Sequence, residues 1–202
     1  MGVMGGTFDP VHVAHLIIAE EARVRLGLEE VVFIPAGQPW LKAASPVSPA
    51  EARLQMVRLA VSSNPFFRVS DMEVARQGPS YTVDTLQALH EELGVGAELY
   101  FIIGFDSLAD LPRWKEPQRI LQQCTLVLFP RPGQAMSLLD ETERTLPGVK
   151  AKARVMEGPV MGISSTEIRH RVAEGLSVRY LVPADVEQFI AERGLYRKRA
   201  RK

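Results

Sequence analysis

Six short apolar runs, separated by longer stretches with helical spacing, are the feature that most constrains how this chain can fold. Apolar runs of this length bounded by turn residues predict strands. Strands that alternate with helices favour parallel pairing with helices on both sheet faces, so the sequence predicts a doubly wound, mainly parallel α/β fold. The predicted strands cover residues 2–4, 31–34, 67–70, 99–103, 125–129 and 153–156.

Helix signals lie between these runs. Residues 14–22 have helical spacing, and Ser48 with Pro49 opens a second helix. A third helix is predicted over residues 82–93, where Gly94 can end it. Sheets of this kind bind ligands beyond the carboxyl ends of their strands, so the residues that follow each strand are the candidates for a site.

The last part of the chain has a different pattern. Residues 131–150 are rich in Pro, Gly and polar residues and predict only a connection or a weak helix. Residues 164–202 have helical spacing, and Pro183 can open a final helix that Gly194 ends. With 202 residues, 46% of them hydrophobic, the chain can bury one substantial core. We therefore expect a single domain over residues 1–202, with residues 164–202 as a small helical C-terminal part.

Composition excludes several classes of partner. The 24 basic residues balance 24 acidic ones, which argues against nucleic acid or an anionic membrane as a partner. No apolar stretch approaches the roughly 18 residues that span a bilayer. The single cysteine, Cys124, excludes an internal disulfide framework and fits a reducing compartment, and its place before an apolar run predicts a core position. A cytoplasmic protein is expected.

The residues that follow the first predicted strand form a candidate anion site. Gly5 and Gly6 permit close approach to the backbone, and Asp9 with Pro10 predicts a helix start. Backbone N–H groups at such a helix end can hold phosphate oxygens, assisted by the helix dipole. The chain lacks the dinucleotide glycine pattern and the Walker lysine loop, so neither NAD reduction nor β,γ-phosphate hydrolysis is indicated.

Two histidines lie in the same segment. His12 and His15 are three residues apart, so in a helical first turn both imidazoles can point toward bound phosphates. For an isolated pair, the alternative is that one histidine caps the loop and the other packs beneath it. Zinc is disfavoured because no third His or Cys is obviously placed to complete a coordination sphere. The neighbouring glycines favour the phosphate interpretation.

A second candidate element opens the C-terminal helical part. Three hydroxyls lie at a predicted helix start, in the run Ile163, Ser164, Ser165 and Thr166. The spacing of Ser164 and Glu167 is that of a capping box. Taken alone, this run is a good helix cap and little more. Taken with the two histidines, it suggests a second helix end that faces the same phosphates.

Both elements resemble signatures of the adenylyltransferase superfamily, which includes the class I aminoacyl-tRNA synthetases. These signatures are H-x-G-H, with Ala14 here in place of the glycine, and I-S-S-T-x-I-R. The alanine adds one methyl group near the nucleotide and leaves both imidazoles in place. The resemblance implies that two positive helix ends face one ATP polyphosphate, with Mg²⁺ to neutralise charge. The implied ATP-binding residues are Gly5, Gly6, Thr7, Phe8, His15, Gly104, Asp106, Ile163, Ser164, Ser165, Thr166 and Arg169.

Three further blocks resemble those of the bacterial nicotinate mononucleotide adenylyltransferases, and the resemblance extends over nearly the whole chain. They are P-S-Y-T-x-D-T-L at residues 79–86, I-I-G-x-D at 102–106 and L-P-x-W at 111–114. In that family the indole at Trp114 stacks on the pyridine ring, and main-chain amides near Thr82 and Lys115 receive the carboxylate. Taken singly, Trp114 is as well explained as a half-buried anchor. The implied acceptor-binding residues are Tyr81, Thr82, Trp114, Lys115 and Arg131.

The resemblance implies transfer of AMP from ATP to nicotinate mononucleotide, with His12, His15 and Lys42 as the catalytic residues. One block departs from the family: residues 39–42 read P-W-L-K where P-P-H-K is usual, so a phosphate-touching histidine is missing. Nicotinamide mononucleotide or phosphopantetheine as the acceptor, and a catalytically silent nucleotide-binding protein, are the alternatives. The exposed edges of such a sheet are compatible with a homo-oligomer.

Overall fold

The computed structural model describes residues 1–40, 47–94, 96–130, 137–159 and 161–198. Within these ranges the strands form one six-stranded sheet. All six predicted apolar runs are strands, and their ends differ from the predicted ends by two residues or fewer. The strands are β1 (Gly2–Gly6), β2 (Val31–Pro35), β3 (Phe67–Val69), β4 (Tyr100–Gly104), β5 (Thr125–Phe129) and β6 (Ala153–Val155).

The strand order is β3-β2-β1-β4-β5-β6, and every neighbouring pair runs parallel. From β1 the sheet grows outward through β2 and β3, and the chain then returns to place β4 on the other side of β1. This arrangement confirms the predicted doubly wound parallel fold. The direction of winding reverses between β1 and β4, which is where sheets of this class leave a crevice for a ligand.

Helices connect the strands and flank the sheet. The third predicted helix is confirmed: Gly94, at φ 84°, ends it and donates its N–H to the His90 carbonyl oxygen at 3.0 Å. The final helix opens after Pro183, as expected. The helices are α1 (Val13–Leu26), α2 (Ala50–Val61), α3 (Met72–Ala75), α4 (Thr82–Leu93), α5 (Phe105–Asp110), α6 (Pro117–Gln123), α7 (Ser137–Thr145), α8 (Val149–Lys152), α9 (Ser165–Ala173) and α10 (Ala184–Glu192), with a 3-10 turn at Leu111–Arg113.

Alternate residues of each strand enter different cores, because successive side chains of a strand point to opposite faces of the sheet. In β2, Val31 and Phe33 join the core that contains residues of α1, α2, α9 and α10. Val32 and Ile34 join the core that contains residues of α4, α5 and α6. Burial on both faces explains why the strands are apolar throughout rather than alternating between apolar and polar residues.

One prediction about the helices was wrong, and another understated the helix content. The helix after β1 begins at Val13 rather than at the Asp9-Pro10 pair. The Asp9 carboxylate does not cap a helix, because it accepts hydrogen bonds from Ser48 and Tyr196 instead. The region at residues 131–150, predicted as a connection or a weak helix, holds α7 and the start of α8. These helices are stabilised by tertiary burial, since Leu146 and Val149 belong to a hydrophobic core.

Cys124 is buried, as expected, and burial raises the pKa of its thiol to about 12. The thiol is therefore protonated at neutral pH and unreactive, so the interpretation as a core residue is confirmed. Among the described residues, no helix is both long enough and apolar enough to cross a bilayer.

Candidate active site

A cavity of about 590 Å³ opens at the carboxyl ends of β1 and β4, where the winding of the sheet reverses. The starts of α1, α4, α5 and α9 all contribute to its wall. This volume is typical of a site for a small organic ligand. The predicted site residues that line the cavity are Gly5, Gly6, Thr7, Phe8, His12, His15, Thr82, Gly104, Asp106, Trp114, Ile163, Ser164, Ser165 and Thr166.

The glycine pair lies at the end of β1 rather than in the loop beyond it. Gly5 and Gly6 pair with Ile34 and Pro35 of β2. A Cβ atom added at Gly6 would lie 3.1 Å from the ring of Phe8, which is tighter than an ordinary contact. A side chain at Gly6 would therefore displace the ring of Phe8, which lines the cavity.

The two imidazoles are stacked against each other, with ring centroids 3.7 Å apart and an interplanar angle of 22°. They do not share a helical turn, because His12 is the N-cap of α1 and has an extended backbone with φ −143°. The prediction of a common helix face was therefore wrong. The two rings nevertheless lie together on the cavity wall, since the extended residue turns its side chain beside the first turn.

Hydrogen bonding sets which nitrogen of His15 can donate. Nδ1 of His15 accepts the backbone N–H of His12 at 3.2 Å. A neutral imidazole that accepts through Nδ1 carries its hydrogen on Nε2. His15 Nε2 is thus a donor, the polarity that a phosphate oxygen requires. The ring is also held by an edge-on contact with Phe8, with centroids 5.0 Å apart.

The start of α9 is joined directly to the loop before α1. Ser164 caps α9 through its side-chain oxygen, which accepts the Glu167 N–H at 3.2 Å, so the predicted helix cap is confirmed. The Ser165 hydroxyl donates to the Pro10 carbonyl oxygen at 2.9 Å. This bond joins residues 155 positions apart and brings the N-termini of α1 and α9 to the same cavity.

Arg169 lies behind the loop rather than on the cavity wall. Its guanidinium donates to the carbonyl oxygen of Asp9 at 2.8 Å and to the Thr166 hydroxyl at 3.3 Å. Both contacts are with the protein's own polar groups, and Arg169 is not among the lining residues. The guanidinium of Arg169 therefore joins the loop before α1 to the start of α9, and its contact with ATP stays a prediction.

Trp114 presents its indole to the cavity from the end of the 3-10 turn. Its ring packs edge-on against Phe101, with centroids 6.1 Å apart and an interplanar angle of 77°. The indole N–H is buried and has no hydrogen-bond acceptor in the described part of the chain. A buried donor of this kind costs free energy unless a ligand or water accepts from it.

Tyr81 and Lys115 contact each other and do not line the cavity with their side chains. The Lys115 Nζ lies 4.7 Å from the centroid of the Tyr81 ring and 3.0 Å from a carboxylate oxygen of Asp84. Both members of this ion pair are about two-fifths exposed, so it contributes little to stability. Of the described residues predicted to bind the acceptor, Thr82, at the first position of α4, and Trp114 line the cavity.

Two predicted site residues, Lys42 and Arg131, lie outside the described residues. Trp40, the last described residue before Lys42, lines the cavity, and the centroid of its ring lies 5.9 Å from that of the Tyr81 ring. Across the described ranges, no group of three or more His, Cys, Asp or Glu side chains could hold a metal ion.

Arg53 of α2 is a buried cation that the sequence analysis did not single out. Only 1% of it is exposed, and its guanidinium donates to three carbonyl oxygens: Thr7 at 2.8 Å, Ser48 at 2.9 Å and Gly37 at 3.0 Å. Its spacing to the buried residues Met56 and Val57, three and four positions later, is the signal that could have revealed it. An arginine on the apolar face of a helix needs buried partners.

Glu73 of α3 is a second missed residue, and it lines the cavity. Its carboxylate accepts the Thr85 hydroxyl at 2.6 Å, and only 7% of the residue is exposed. Burial raises the pKa of Glu73 above the ordinary value of 4.5, although the hydrogen bond from Thr85 and the charges of Arg76 and Arg53 oppose the shift. The backbone beside it is tightly packed: a Cβ at Gly37 would lie 2.1 Å from the Glu73 carbonyl oxygen.

The raised pKa of Glu73 predicts how stability changes with pH. A carboxyl whose pKa is higher in the folded than in the unfolded state stabilises the fold below its unfolded pKa, and this contribution is lost as pH rises through the folded value. Glu73→Gln keeps an oxygen that can accept from Thr85 but cannot ionise. We therefore expect the melting temperature of Glu73→Gln relative to the parent to rise as pH increases from about 4.5 to about 8.

Thermal melts of both proteins across this range measure the effect. Glu141→Gln, on the exposed side of α7, is the control for the loss of one carboxylate. A difference between Glu73→Gln and the parent that stays constant with pH, or that falls as pH rises, would show that burial does not control this carboxyl.

The fold and the site together define a Rossmann-like nucleotidyltransferase. The sheet leaves a crevice where its winding reverses, and two helix ends with the stacked histidines lie on the wall of that crevice. Comparison with known families agrees: residues 3–171 match the model of the cytidylyltransferase-like family.

Individual relatives show which family of nucleotidyltransferases the chain belongs to. A probable nicotinate-nucleotide adenylyltransferase of Dehalococcoides mccartyi is 48% identical over 197 residues, which are 98% of this chain and 97% of the relative. One of Roseiflexus sp. is 50% identical over 198 residues, 98% of each chain. The structure of Plasmodium falciparum nicotinic acid mononucleotide adenylyltransferase complexed with NaAD has the same fold, with a TM-score of 0.79 over 96% of each chain at 17% identity. The chain belongs to the nicotinate-nucleotide adenylyltransferase family.

Proposed function

We propose that this protein transfers the AMP part of ATP to nicotinate mononucleotide, giving nicotinate adenine dinucleotide and pyrophosphate, as a step of NAD biosynthesis. Membership of the family supports both the reaction and the substrates. We place the reaction in the cytoplasm, which the single, buried, reduced cysteine supports.

The observation that carries the proposal is the convergence of two helix N-termini on one cavity. α1 contributes the stacked His12 and His15, α9 contributes the turn at Ser164, and the Ser165–Pro10 hydrogen bond fixes one helix start against the other. Each helix start carries the equivalent of about half a positive charge. Two such ends stabilise a polyphosphate without a large basic surface, which suits a chain of zero net charge.

The chemistry is an in-line displacement at the α-phosphorus of ATP. A phosphate oxygen of nicotinate mononucleotide forms the new bond to this phosphorus, while the bond to the bridging oxygen of the β-phosphate breaks and pyrophosphate leaves with the electron pair. The acceptor phosphate is already ionised at neutral pH, so no general base is needed. Rate acceleration comes from aligning the reactants and stabilising charge on the α-phosphate and the leaving group.

The cavity residues divide between the two substrates. We assign the His15 Nε2–H to an α-phosphate oxygen and the start of α9 to the β- and γ-phosphates. The hydroxyls of Ser164 and Ser165 already have protein partners, which favours the backbone N–H groups of this helix start as the phosphate donors. Asp106, exposed in the first turn of α5, is assigned to the ATP ribose. Trp114 is assigned to the pyridine ring of the acceptor.

Mg²⁺ is proposed to arrive with ATP, held by phosphate oxygens and water rather than by a protein cage. This mode of binding is usual for Mg²⁺ in sites that act on nucleotides. Once bound, the ion would neutralise charge on the polyphosphate.

Pyrophosphate release tests the proposal directly. The purified protein is incubated with ATP, Mg²⁺ and one of three acceptors: nicotinate mononucleotide, nicotinamide mononucleotide or phosphopantetheine. We expect the highest kcat/KM with nicotinate mononucleotide, and the formation of nicotinate adenine dinucleotide in equal amount to pyrophosphate. Preference for either other acceptor would reassign the substrate. ATP binding without pyrophosphate release from any acceptor would identify a catalytically silent nucleotide-binding protein.

A further inference from the structure

Tyr196, close to the C-terminus, reaches the loop that follows β1. Its hydroxyl donates to the Asp9 Oδ1 at 2.7 Å, across 187 positions of the chain. Tyr196 is half-buried and does not line the cavity, whereas Asp9 does. Among the contacts of its hydroxyl, the bond to Asp9 is the one that reaches a residue of the cavity wall.

Asp9 is fixed at three of its oxygen atoms. Tyr196 occupies Oδ1, the backbone N–H of Ser48 donates to Oδ2 at 3.2 Å, and Arg169 donates to the carbonyl oxygen at 2.8 Å. Only 4% of Asp9 is exposed, so water does little to solvate this carboxylate. A buried carboxylate depends on such donors, and each one removed leaves an oxygen whose desolvation is uncompensated.

The same loop is held on both sides of Asp9. The Thr7 carbonyl oxygen accepts from Arg53, and the Pro10 carbonyl oxygen accepts from Ser165. Three carbonyl oxygens between residues 7 and 10 are thus occupied by protein donors. Carbonyl oxygens repel phosphate, so fixing them in these bonds stabilises a loop conformation suited to an anion.

The hydroxyl of Tyr196 also acts on the negative charge of the Asp9 carboxylate. The Asp9 carboxylate lies on the wall of a cavity that is proposed to receive a polyphosphate, and like charges that share a cavity repel each other. A donor on Oδ1 stabilises the negative charge and fixes its position. Burial and the adjacent Asp9 raise the pKa of Tyr196, so the hydroxyl remains protonated and continues to donate.

From this geometry we propose that Tyr196 is a positioning residue of the ATP site: it holds Asp9, and through Asp9 the loop at residues 7–10, in the conformation that receives the polyphosphate. The inference rests on the proposed function for the identity of the ligand. It also assigns a role to the C-terminal segment, which supplies a residue that the nucleotide site needs without contributing that residue to the cavity wall.

Tyr196→Phe removes the hydroxyl and keeps the ring. We expect kcat/KM for ATP to fall about tenfold, the usual effect of losing one hydrogen bond to a charged group. The KM for nicotinate mononucleotide should not change, because Thr82 and Trp114 are on other elements. Calorimetric titration with ATP and Mg²⁺, without acceptor, should show about tenfold weaker binding.

Two variants serve as controls. Tyr180→Phe removes a hydroxyl from a tyrosine that is 84% exposed in the same C-terminal part, and it should bind ATP as the parent does. Leu195→Ala weakens the packing of the residue next to Tyr196 and keeps the hydroxyl, so it should lower the melting temperature without a selective loss of ATP affinity. This pair separates the hydrogen bond from general stability.

The proposal is overturned if Tyr196→Phe binds ATP as tightly as the parent. It is also overturned if the variant loses affinity for both substrates equally, or loses no more ATP affinity than Leu195→Ala. Failure of the proposed function has a different signature: the parent would bind ATP but release no pyrophosphate with nicotinate mononucleotide. The ATP titrations still decide the role of Tyr196 in that case.

Discussion

The His15→Ala variant is expected to turn over at least a hundredfold more slowly than the parent while remaining folded. Removal of one preorganised donor to a developing negative charge typically lowers kcat about a hundredfold to a thousandfold. The substitution removes the Nε2–H that we assign to an α-phosphate oxygen, and it removes the Nδ1 that accepts the His12 N–H at 3.2 Å. Single-turnover kinetics with saturating ATP and nicotinate mononucleotide measure the loss.

His170→Ala is the matched control, because His170 is an exposed histidine on α9. It should keep the parental rate. His15 is only half-buried, so the melting temperature of His15→Ala should stay within a few degrees of the parent. If His15→Ala and the parent show the same single-turnover rate, His15 is not a phosphate donor in the transition state.

The Trp114→Ala variant is expected to raise the KM for nicotinate mononucleotide about thirtyfold, with a smaller change in kcat. A cationic ring over an indole in a desolvated site gains about 2 kcal/mol, which corresponds to that factor. Trp114 lines the cavity and packs edge-on against Phe101, so its exposed face is held in a fixed orientation. Initial rates at varied acceptor and saturating ATP give the measurement.

Trp114→Phe tests the cause of this effect. Phenylalanine restores an aromatic face but not the buried indole N–H, so an intermediate KM for the acceptor is expected. The KM for ATP should stay near the parental value in both variants. An acceptor KM that is unaltered in Trp114→Ala would refute stacking, and equal increases for both substrates would indicate a general distortion of the cavity.

Local patterns in the sequence were sufficient to predict most of the strands and helices. The six apolar runs became the six strands, since a parallel strand buried on both faces must be apolar along its whole length. The end of α4 at Gly94 and the cap of α9 at Ser164 were also predictable, because caps depend on residues a few positions apart. The cavity lies where the two signature motifs meet, as their resemblance to the superfamily implied.

Contacts between distant segments were not predictable in this way. The start of α1 was predicted too early because Asp9, a common capping residue, instead bonds to Ser48 and Tyr196, 39 and 187 positions away. Arg169 was a weaker candidate for binding phosphate, and nothing in the sequence indicated that its guanidinium would donate to the Asp9 carbonyl oxygen. An arginine has the same local appearance in the sequence whether its partner is a ligand or a backbone carbonyl.

The sequence by itself determined the class of fold and several helix ends, because periodicity and helix caps act over a few residues. The resemblance of its motifs pointed to the loop after β1 and to the two histidines, which lie on the cavity wall. Only the tertiary structure decided which polar groups were buried and what they bonded to. Arg53, Glu73 and Tyr196 obtained their hydrogen-bond partners from packing, since a buried charge or hydroxyl is stable only where donors or acceptors from other segments surround it.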